Sequence, residues 1–477
     1  MILPMNWILA LPEIVLALCA MGILMFGVLR REDSTFVCTM LALAALVVTA
    51  MLVTAAPVGG AYRGLFVVDG FGRFMKLLVL VGAGLSAVLA MHFNERENLS
   101  RFEFPVLILL STVGMMIMCS TANLMTLYLG LELQSLALYV LCAFARDDVR
   151  SSESGLKFFV LGALASGLIL YGTSLAYGFS GTMQFGELAR TLSAPEAASP
   201  GLIVGVVFIV AGLAFKLSAV PFHMWTPDVY QGAPTPVTAF MSTAPKVAAI
   251  ALMLRVLEMP FGQLLHQWSG LIVLVSICSM LLGSLAAIGQ TNIKRLMAYS
   301  SIGHMGYALV GLAVGTAEGV RGVMIYMVTY VFMSAGTFAV LVAMRRRGQA
   351  LEKISDLSGL ARTHPGLALA MAVFMFSMAG IPPFSGFFGK LYVFLPAVQA
   401  GYWTLAVIGV LTSVVGAFYY LRVIKVMYFD PAEPAFDTSS TSLGFVAGVG
   451  ALVTTLFFVF PAPVVAAAQS AARVLFG

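Results

Sequence analysis

Three lysines, one glutamate and one histidine lie inside strongly hydrophobic stretches of the sequence, where charged side chains are rare. They are Glu132, Lys216, Lys246, His304 and Lys390. A cation at the centre of a membrane helix costs roughly 2.5–3.5 kcal/mol on insertion scales, so three lysines facing lipid would cost about 10 kcal/mol. A buried ammonium releases its proton more readily than an exposed one, and a carboxylate brought close to it favours recapture. These residue types therefore predict a proton relay through a membrane interior, with waters bridging the longer gaps.

The depth and the surroundings of these residues support an inward-facing position. Glu132, Lys246 and His304 each lie about ten residues from the ends of their segments, or ~15 Å at the rise of an α-helix. This is the middle of a ~30 Å hydrocarbon core. Each also shares a helix face with hydroxyl-bearing residues three, four or seven positions away. Polar contacts between helices would explain one or two such stripes, whereas several ionisable groups together favour a functional path. The hydroxyl-bearing residues are Tyr128, Ser135, Tyr139, Ser242, Thr243, Ser300, Ser301 and Tyr307.

The composition excludes a soluble globular protein. Hydrophobic residues make up 60% and charged residues 10% of the 477 residues, against roughly 45–50% and about 25% in soluble domains. Since a membrane helix needs about 20 apolar residues, we expect an all-α polytopic membrane protein, with residues 1–477 in a single membrane domain. About fourteen segments are predicted, near 8–29, 35–55, 72–92, 104–120, 123–143, 155–180, 201–222, 236–258, 268–289, 293–315, 319–344, 366–398, 401–428 and 442–468.

The distribution of basic residues predicts the orientation in the membrane. Of the 26 lysines and arginines, sixteen fall in loops on one side and five, including Arg255, on the other. Because basic residues accumulate on the cytoplasmic side, both termini are expected on the non-cytoplasmic side. The first segment lacks a basic start and a small-residue cleavage site, so we expect it to be retained as a helix. The net charge of +5 gives no support for nucleic-acid binding.

Prolines and glycines interrupt two of the predicted helices. Pro221 interrupts the helix near 201–222, and Pro382 and Pro383 interrupt the helix near 366–398. Irregular backbone at membrane depth is tolerated only where it is buried in protein or lines a water-filled cavity. We therefore interpret both breaks as marks of a hydrated interior, with simple packing kinks as the alternative.

The two broken helices also suggest an internal repeat. By the loop count they run in opposite directions, and Lys216 precedes its break whereas Lys390 follows its own. Both lysines are then expected on the non-cytoplasmic side of a break, as in two inverted transporter-like repeats. The predicted division is a three-helix segment, two repeats and a last helix, at 1–103, 104–258, 268–428 and 442–468.

The sequence contains no pattern for a cofactor or metal site of its own. The five cysteines lie singly in apolar runs, without the C-x-x-C spacing that holds zinc or an iron–sulfur cluster. No Gly-rich phosphate loop joins a strand to a helix. We therefore expect any redox chemistry to belong to another chain.

Four sequence stretches resemble the antiporter-like subunits of respiratory complex I, the proton-pumping NADH:quinone oxidoreductase. They are KLSAVPFHMWTPDVYQGAPTPV at 216–237, APK at 244–246, QTNIKRLMAYSSIGH at 290–304 and GIPPFSGFFGK at 380–390. The resemblance spans roughly residues 105–430. Within the family, the sequence is most similar to the subunit that has a lysine, and not an acidic residue, in the second broken helix. That subunit also has no long C-terminal lateral helix.

The resemblance implies roles for individual residues. Glu132 and Lys216 would form a charge pair, Lys246 and His304 would lie on a central axis, and Lys390 would be the terminal lysine of the relay. His223, seven residues after Lys216, is a candidate for the path to the cytoplasm, although a structural interior histidine is an equal alternative.

The resemblance also implies a setting for the chain. Its partners would be other membrane-arm subunits, including antiporter-like ones, together with lipid in the bacterial inner membrane. FMN and iron–sulfur clusters would lie in other subunits, with NADH and quinone as substrates, and this chain would contain no redox centre.

Two other functions are compatible with the sequence. The same fold family includes multi-subunit Na⁺/H⁺ antiporters, although the predominance of lysine over oxygen ligands argues for protons alone. A scaffold that assembles a membrane arm without transporting protons is the third hypothesis.

Overall fold

The computed structural model describes residues 6–30, 34–193, 199–438 and 440–476, and most of these residues are helical. The α-helices are α1 Leu11–Leu29, α2 Thr35–Ala55, α3 Gly70–Arg96, α4 Glu103–Ser120, α5 Leu124–Cys142, α6 Val149–Ser180, α7 Phe185–Thr191, α8 Pro200–Leu217, α9 Thr226–Gly232, α10 Thr235–Ser242, α11 Ala244–Glu258, α12 Leu265–Ile288, α13 Ile293–Ala313, α14 Ala317–Ala343, α15 Leu360–Thr363, α16 Pro365–Ala379, α17 Ser385–Gln399, α18 Trp403–Phe429, α19 Thr441–Leu456 and α20 Ala462–Arg473.

Short elements connect these helices. Two antiparallel hairpins are formed by β1 Gly59–Ala61 with β2 Phe66–Val68, and by β3 Arg345–Arg346 with β4 Gln349–Ala350. The 3₁₀ helices are Trp7–Ala10, Tyr62–Gly64, Gly262–Leu264 and Ile354–Leu357.

The predicted all-α membrane architecture is confirmed. Among the described residues, eleven helical stretches are long and apolar enough to cross a membrane. The other predicted segments correspond to α13, to the broken pair α16 and α17, and to α19. They do not meet a criterion of length and apolar composition, because α13 contains two serines, two tyrosines and a histidine, and the other helices are short.

The end of the chain differs from the expected single helix over 442–468. Helix α19 ends at Leu456, and α20 begins at Ala462 as a separate helix. Pro461 and Pro463 lie at this junction, and proline removes a backbone donor and clashes with the preceding turn. The last predicted segment is therefore two helices.

The centre of the bundle is formed by α10, α11 and α14. The most apolar window of Thr235–Glu258 is 100% buried and that of α14 is 94% buried. Close helix packing elsewhere depends on small residues. A Cβ atom at Gly283 of α12 would lie 2.6 Å from the backbone nitrogen of Gly303 in α13, so no larger residue fits there without moving the helices apart.

A buried ion pair links the start of α3 to α11. Arg255 Nη1 and Nη2 each donate a hydrogen bond of 2.8 Å to a carboxylate oxygen of Asp69. Asp69 also accepts from the backbone N–H of Gly72 at 2.6 Å, and so caps α3. Burial alone would raise the pKa of Asp69, but Arg255, the backbone N–H of Gly72 and Lys76 together outweigh it, and the pKa is lowered from its usual value. The expectation that Arg255 lies in a loop is wrong, because the side chain is fully buried in this pair.

We predict that Asp69→Asn destabilises the protein strongly. The substitution leaves the Arg255 guanidinium buried without its counter-charge, and breaking a buried pair in this way costs about 3–5 kcal/mol. Thermal unfolding of the purified protein in detergent measures the effect. The matched control is Asp430→Asn in the Lys425–Asp430 pair, where Lys425 is 63% exposed, because exposed pairs contribute only about 0–1 kcal/mol. Equal melting temperatures for the two variants would contradict the prediction.

Candidate functional site

Lys216 lies in the last turn of α8, and its ammonium points into the bundle. The residue is only 6% exposed. Its Nζ donates to Ser135 Oγ of α5 at 2.8 Å and lies 3.5 Å from the hydroxyl of Tyr139. The ring centroid of Tyr139 is 5.8 Å from the same Nζ, within cation–π range. The ammonium is therefore held by protein groups and does not face lipid.

Glu132 lies on the same helix as Ser135, three residues earlier, so the two share one face of α5. It is half-buried, and its Oε1 accepts a hydrogen bond from Ser166 Oγ of α6. Within the described residues no ion pair joins Glu132 to Lys216. The structure thus brings the two charged residues to one site, with the Ser135 hydroxyl as the direct partner of the lysine.

Lys246 lies at the start of α11, and its ammonium caps the end of α8. Nζ donates to the carbonyl of Leu217 at 2.9 Å and to the hydroxyl of Ser218. The ring of Trp225 lies 5.4 Å from Nζ. The carbonyl ends of a helix carry partial negative charge, so this site stabilises a buried cation.

A small cavity lies between Lys216 and Lys246. It measures about 10 Å³ and is lined by both lysines, Ser135 and Gln134, among others. Such a volume is at the lower limit for a single water. Among the described residues, the buried Oε1 of Gln134 has no hydrogen-bond partner. A buried oxygen of this kind normally binds protein or water. The site therefore fits one bridging water molecule between the two lysines.

The second broken helix has a similar arrangement around Lys390. Nζ of Lys390, in α17, donates to the carbonyls of Met378 and Ala379 at 3.0 Å each and to Ser413 Oγ of α18 at 2.7 Å. The ring of Tyr307 lies 4.8 Å from this ammonium. Lys390 thus caps the carbonyl end of α16 across the break.

The two breaks share one design. Helices α8 and α16 each end in a residue with left-handed backbone, Ser218 at φ 61° and Gly380 at φ 86°. Pro221 follows the first end, and Pro382 and Pro383 follow the second. The sequence analysis treated Lys216 and Lys390 as equivalent residues of the two broken helices. In the structure, the residue that donates to the carbonyl end of α8, as Lys390 does to that of α16, is Lys246. The spacing of residues could not show this, because Lys246 reaches α8 from a different helix.

His304 of α13 lies among tyrosines at the centre of the second half. Its Nδ1 is 2.5 Å from the hydroxyl of Tyr326 in α14, and its Nε2 is 3.1 Å from the hydroxyl of Tyr420 in α18. Tyr307, whose ring contacts Lys390, has its ring centroid 6.1 Å from that of the histidine. His304 is therefore fully hydrogen-bonded and lies one aromatic ring away from Lys390.

His223 lies in the segment between α8 and α9, two residues after Pro221, and is half-buried. Burial lowers the pKa of this imidazole, although the backbone of Pro221 opposes the shift. None of the described hydrogen bonds joins it to Lys216. A larger pocket of about 1020 Å³ instead reaches Tyr139, which also contacts Lys216, and is lined by loop residues such as Arg146 and Asp147.

Sequence reasoning missed further buried charges, among them those of Lys76 and Lys294. Lys76 of α3 pairs with Glu13 of α1 at 2.6 Å, and Lys294 donates to the carbonyls of Gln231 and Ala233 at 2.9 and 2.7 Å. Lys76 lies six residues after Gly70 in a hydrophobic run. The presence of Glu13 in another hydrophobic run was the signal that a buried partner was needed.

Comparison with known proteins identifies the family. Residues 121–416 match the family described as NADH:quinone oxidoreductase/Mrp antiporter, TM. The chain is 64% identical to NADH-quinone oxidoreductase subunit N of Granulibacter bethesdensis, over 99% of this chain and 100% of that protein. It is 58% identical to subunit N of Gluconacetobacter diazotrophicus, with the same shares covered.

Solved structures agree with this assignment. A chain of respiratory complex I from Thermus thermophilus with bound aureothin has a TM-score of 0.84 and 32% identity, covering 96% of this chain and 99% of that one. A chain of the Mrp complex from a Dietzia species has a TM-score of 0.86 at 23% identity, covering 99% and 98%, which shows the fold alone. The chain therefore belongs to the NADH:quinone oxidoreductase/Mrp antiporter membrane family and, within it, to the NADH-quinone oxidoreductase subunit N proteins.

Proposed function

We propose that this chain is a proton-translocating membrane-arm subunit of NADH:quinone oxidoreductase. In this proposal it moves protons through Glu132, Lys216, Lys246, His304 and Lys390, driven by quinone reduction in other subunits. The observation that carries the proposal is the binding of three buried ammonium groups by hydroxyl and carbonyl oxygens inside the bundle.

The setting follows from the proposal. The partners are the other membrane-arm subunits, including antiporter-like ones, in the bacterial inner membrane with both termini on the non-cytoplasmic side. FMN and iron–sulfur clusters belong to other subunits, and NADH and quinone react there. The division into two inverted repeats, 104–258 and 268–428, is supported by the lysine-capped helix ends at Leu217 and Ala379.

The first steps of the relay take place around α5. Lys216 binds the Ser135 hydroxyl, and Glu132 lies one turn away on the same face. Movement of Glu132 toward Lys216 stabilises the ammonium, and movement away favours release of the proton. A water in the cavity beside Gln134 then carries the proton toward Lys246.

Beyond Lys246 the proton reaches the second half. Lys390 is held by the end of α16 and by Ser413, and Tyr307 separates it from His304. The partial negative charge of the helix end favours recapture of a proton by Lys390 after each release. His223, or the pocket that reaches Tyr139, is the uptake path to Lys216.

We predict that Glu132→Gln and Lys216→Met each reduce proton translocation while the complex still assembles. Both variants remove a charge with little change in volume. The measurement is the number of protons moved per NADH oxidised by the purified complex in vesicles, with Lys425→Met as control because Lys425 is 63% exposed.

Wild-type stoichiometry in both variants would overturn the relay. Normal turnover in both variants, with dissociation only on deletion of whole helices, would instead favour a scaffold. Translocation that depends on Na⁺ and proceeds without NADH would favour an antiporter.

A second prediction concerns the hydroxyl that binds the Lys216 ammonium. Ser135→Ala removes the direct partner of Lys216, so we expect proton translocation to slow by about fivefold, the effect of one hydrogen bond of about 1 kcal/mol. Ser135→Thr, which keeps the hydroxyl, should retain most of the rate. The control is Ser284→Ala, since the Ser284 hydroxyl is buried but bonds the Leu281 carbonyl of its own helix. Equal rates in Ser135→Ala and the control would remove Ser135 from the path.

A further inference from the structure

We infer that four hydroxyl groups, those of Ser242, Ser334, Tyr330 and Ser301, conduct protons between the surroundings of Lys246 and those of His304. The inference rests on the proposed relay and supplies its middle link. Among the described hydrogen bonds, none joins Lys246 directly to His304 or to the tyrosines that bind it. A relay through both residues therefore needs intermediate groups.

Two hydrogen bonds between helices define the chain of hydroxyls. Ser242 Oγ of α10 lies 2.8 Å from Ser334 Oγ of α14. The hydroxyl of Tyr330 in α14 donates to Ser301 Oγ of α13 at 2.9 Å. All four residues are buried, with exposures of 1 to 2%. Such hydroxyls are isolated from solvent and lipid alike.

Helix α14 joins the two bonds. Tyr330 and Ser334 are four residues apart on this helix and so lie one above the other on one face. The chain of hydroxyls consequently crosses from α10 in the first half to α13 in the second.

The ends of the chain lie beside the two relay residues. Ser242 is four residues before Lys246, across the kink at Thr243, where φ is −112° and ψ is −93°. Ser301 is three residues before His304 on α13, and the rings of Tyr330 and His304 have centroids 5.3 Å apart. The His304 end therefore shares both a helix and a ring contact with its relay residue, and the Lys246 end lies four residues from its relay residue across the kink.

Hydroxyl groups suit this role because each is both a donor and an acceptor. Each oxygen receives a proton from the preceding group and passes its own proton to the next, so the chain is neutral before and after transfer. Rotation of the O–H bond then resets it. Ser242 has two oxygens within reach for such a rotation, since its own oxygen lies 2.8 Å from both the carbonyl of Ala239 and Ser334 Oγ.

A neighbouring hydroxyl on α14 provides the contrast. Thr337 is fully buried, but its Oγ1 donates to the carbonyl of Met333 in its own helix at 2.8 Å. No described hydrogen bond takes this hydroxyl to another helix. Removing it therefore tests burial and packing without interrupting the chain.

The test uses the purified complex in vesicles with Tyr330→Phe and Ser334→Ala. Tyr330→Phe keeps the ring and removes only the hydroxyl, so assembly should be preserved. We expect proton translocation in each variant to slow by about fivefold, the effect of one lost hydrogen-bonded link. Thr337→Val is the matched control and should pump at the wild-type rate. Thermal unfolding of the complex separates a slower path from a destabilised one.

The outcomes distinguish this inference from the proposed relay. If Lys246→Met lowers translocation but Tyr330→Phe and Ser334→Ala match Thr337→Val, the hydroxyl chain is overturned and the relay stands. If Lys246→Met also pumps normally, the relay itself fails. Slowing of Tyr330→Phe and Ser334→Ala, with unchanged melting temperatures, supports the chain.

Discussion

The structure depends on how an ammonium group is kept stable in the middle of a membrane. Hydrocarbon offers it no partner, and this protein supplies oxygens from two broken helices. The ends of α8 and α16 leave backbone carbonyls unpaired, and Lys246 and Lys390 donate to them. The helix breaks and the lysines are therefore complementary. The carbonyl oxygens at an interrupted helix end need hydrogen-bond donors, and a buried ammonium group needs hydrogen-bond acceptors.

This arrangement also explains the rest of the core. Cations held this way need a rigid, protein-lined interior, which the fully buried α10 and α11 provide. The Asp69–Arg255 pair fixes the far end of α11 to α3. At the near end of the same helix, Lys246 is bonded to the last carbonyl of α8, so α11 is held at both ends. Hydroxyl and tyrosine groups then fill the spaces between the ionisable residues, since apolar side chains there would interrupt hydrogen bonding between the two halves.

The sequence was sufficient for the fold class and for the residues near the centre. Apolar length, proline position and the cost of buried charge predicted the membrane helices and both breaks. It could not show that Ser135 is the direct partner of Lys216, or that Lys246 reaches α8, because these contacts join helices far apart in the chain. Charge counting also placed Arg255 in a loop, since a basic residue near a segment end has the same pattern whether it faces water or a buried aspartate.

The most direct test of the central claim is a map of the whole complex at a resolution that shows ordered waters. The account predicts a water in the cavity between Lys216 and Lys246, bound to Gln134, with the ammonium groups of Lys246 and Lys390 on the carbonyl ends of α8 and α16. A dry cavity sealed by side chains, with these lysines turned toward acyl chains, would contradict it.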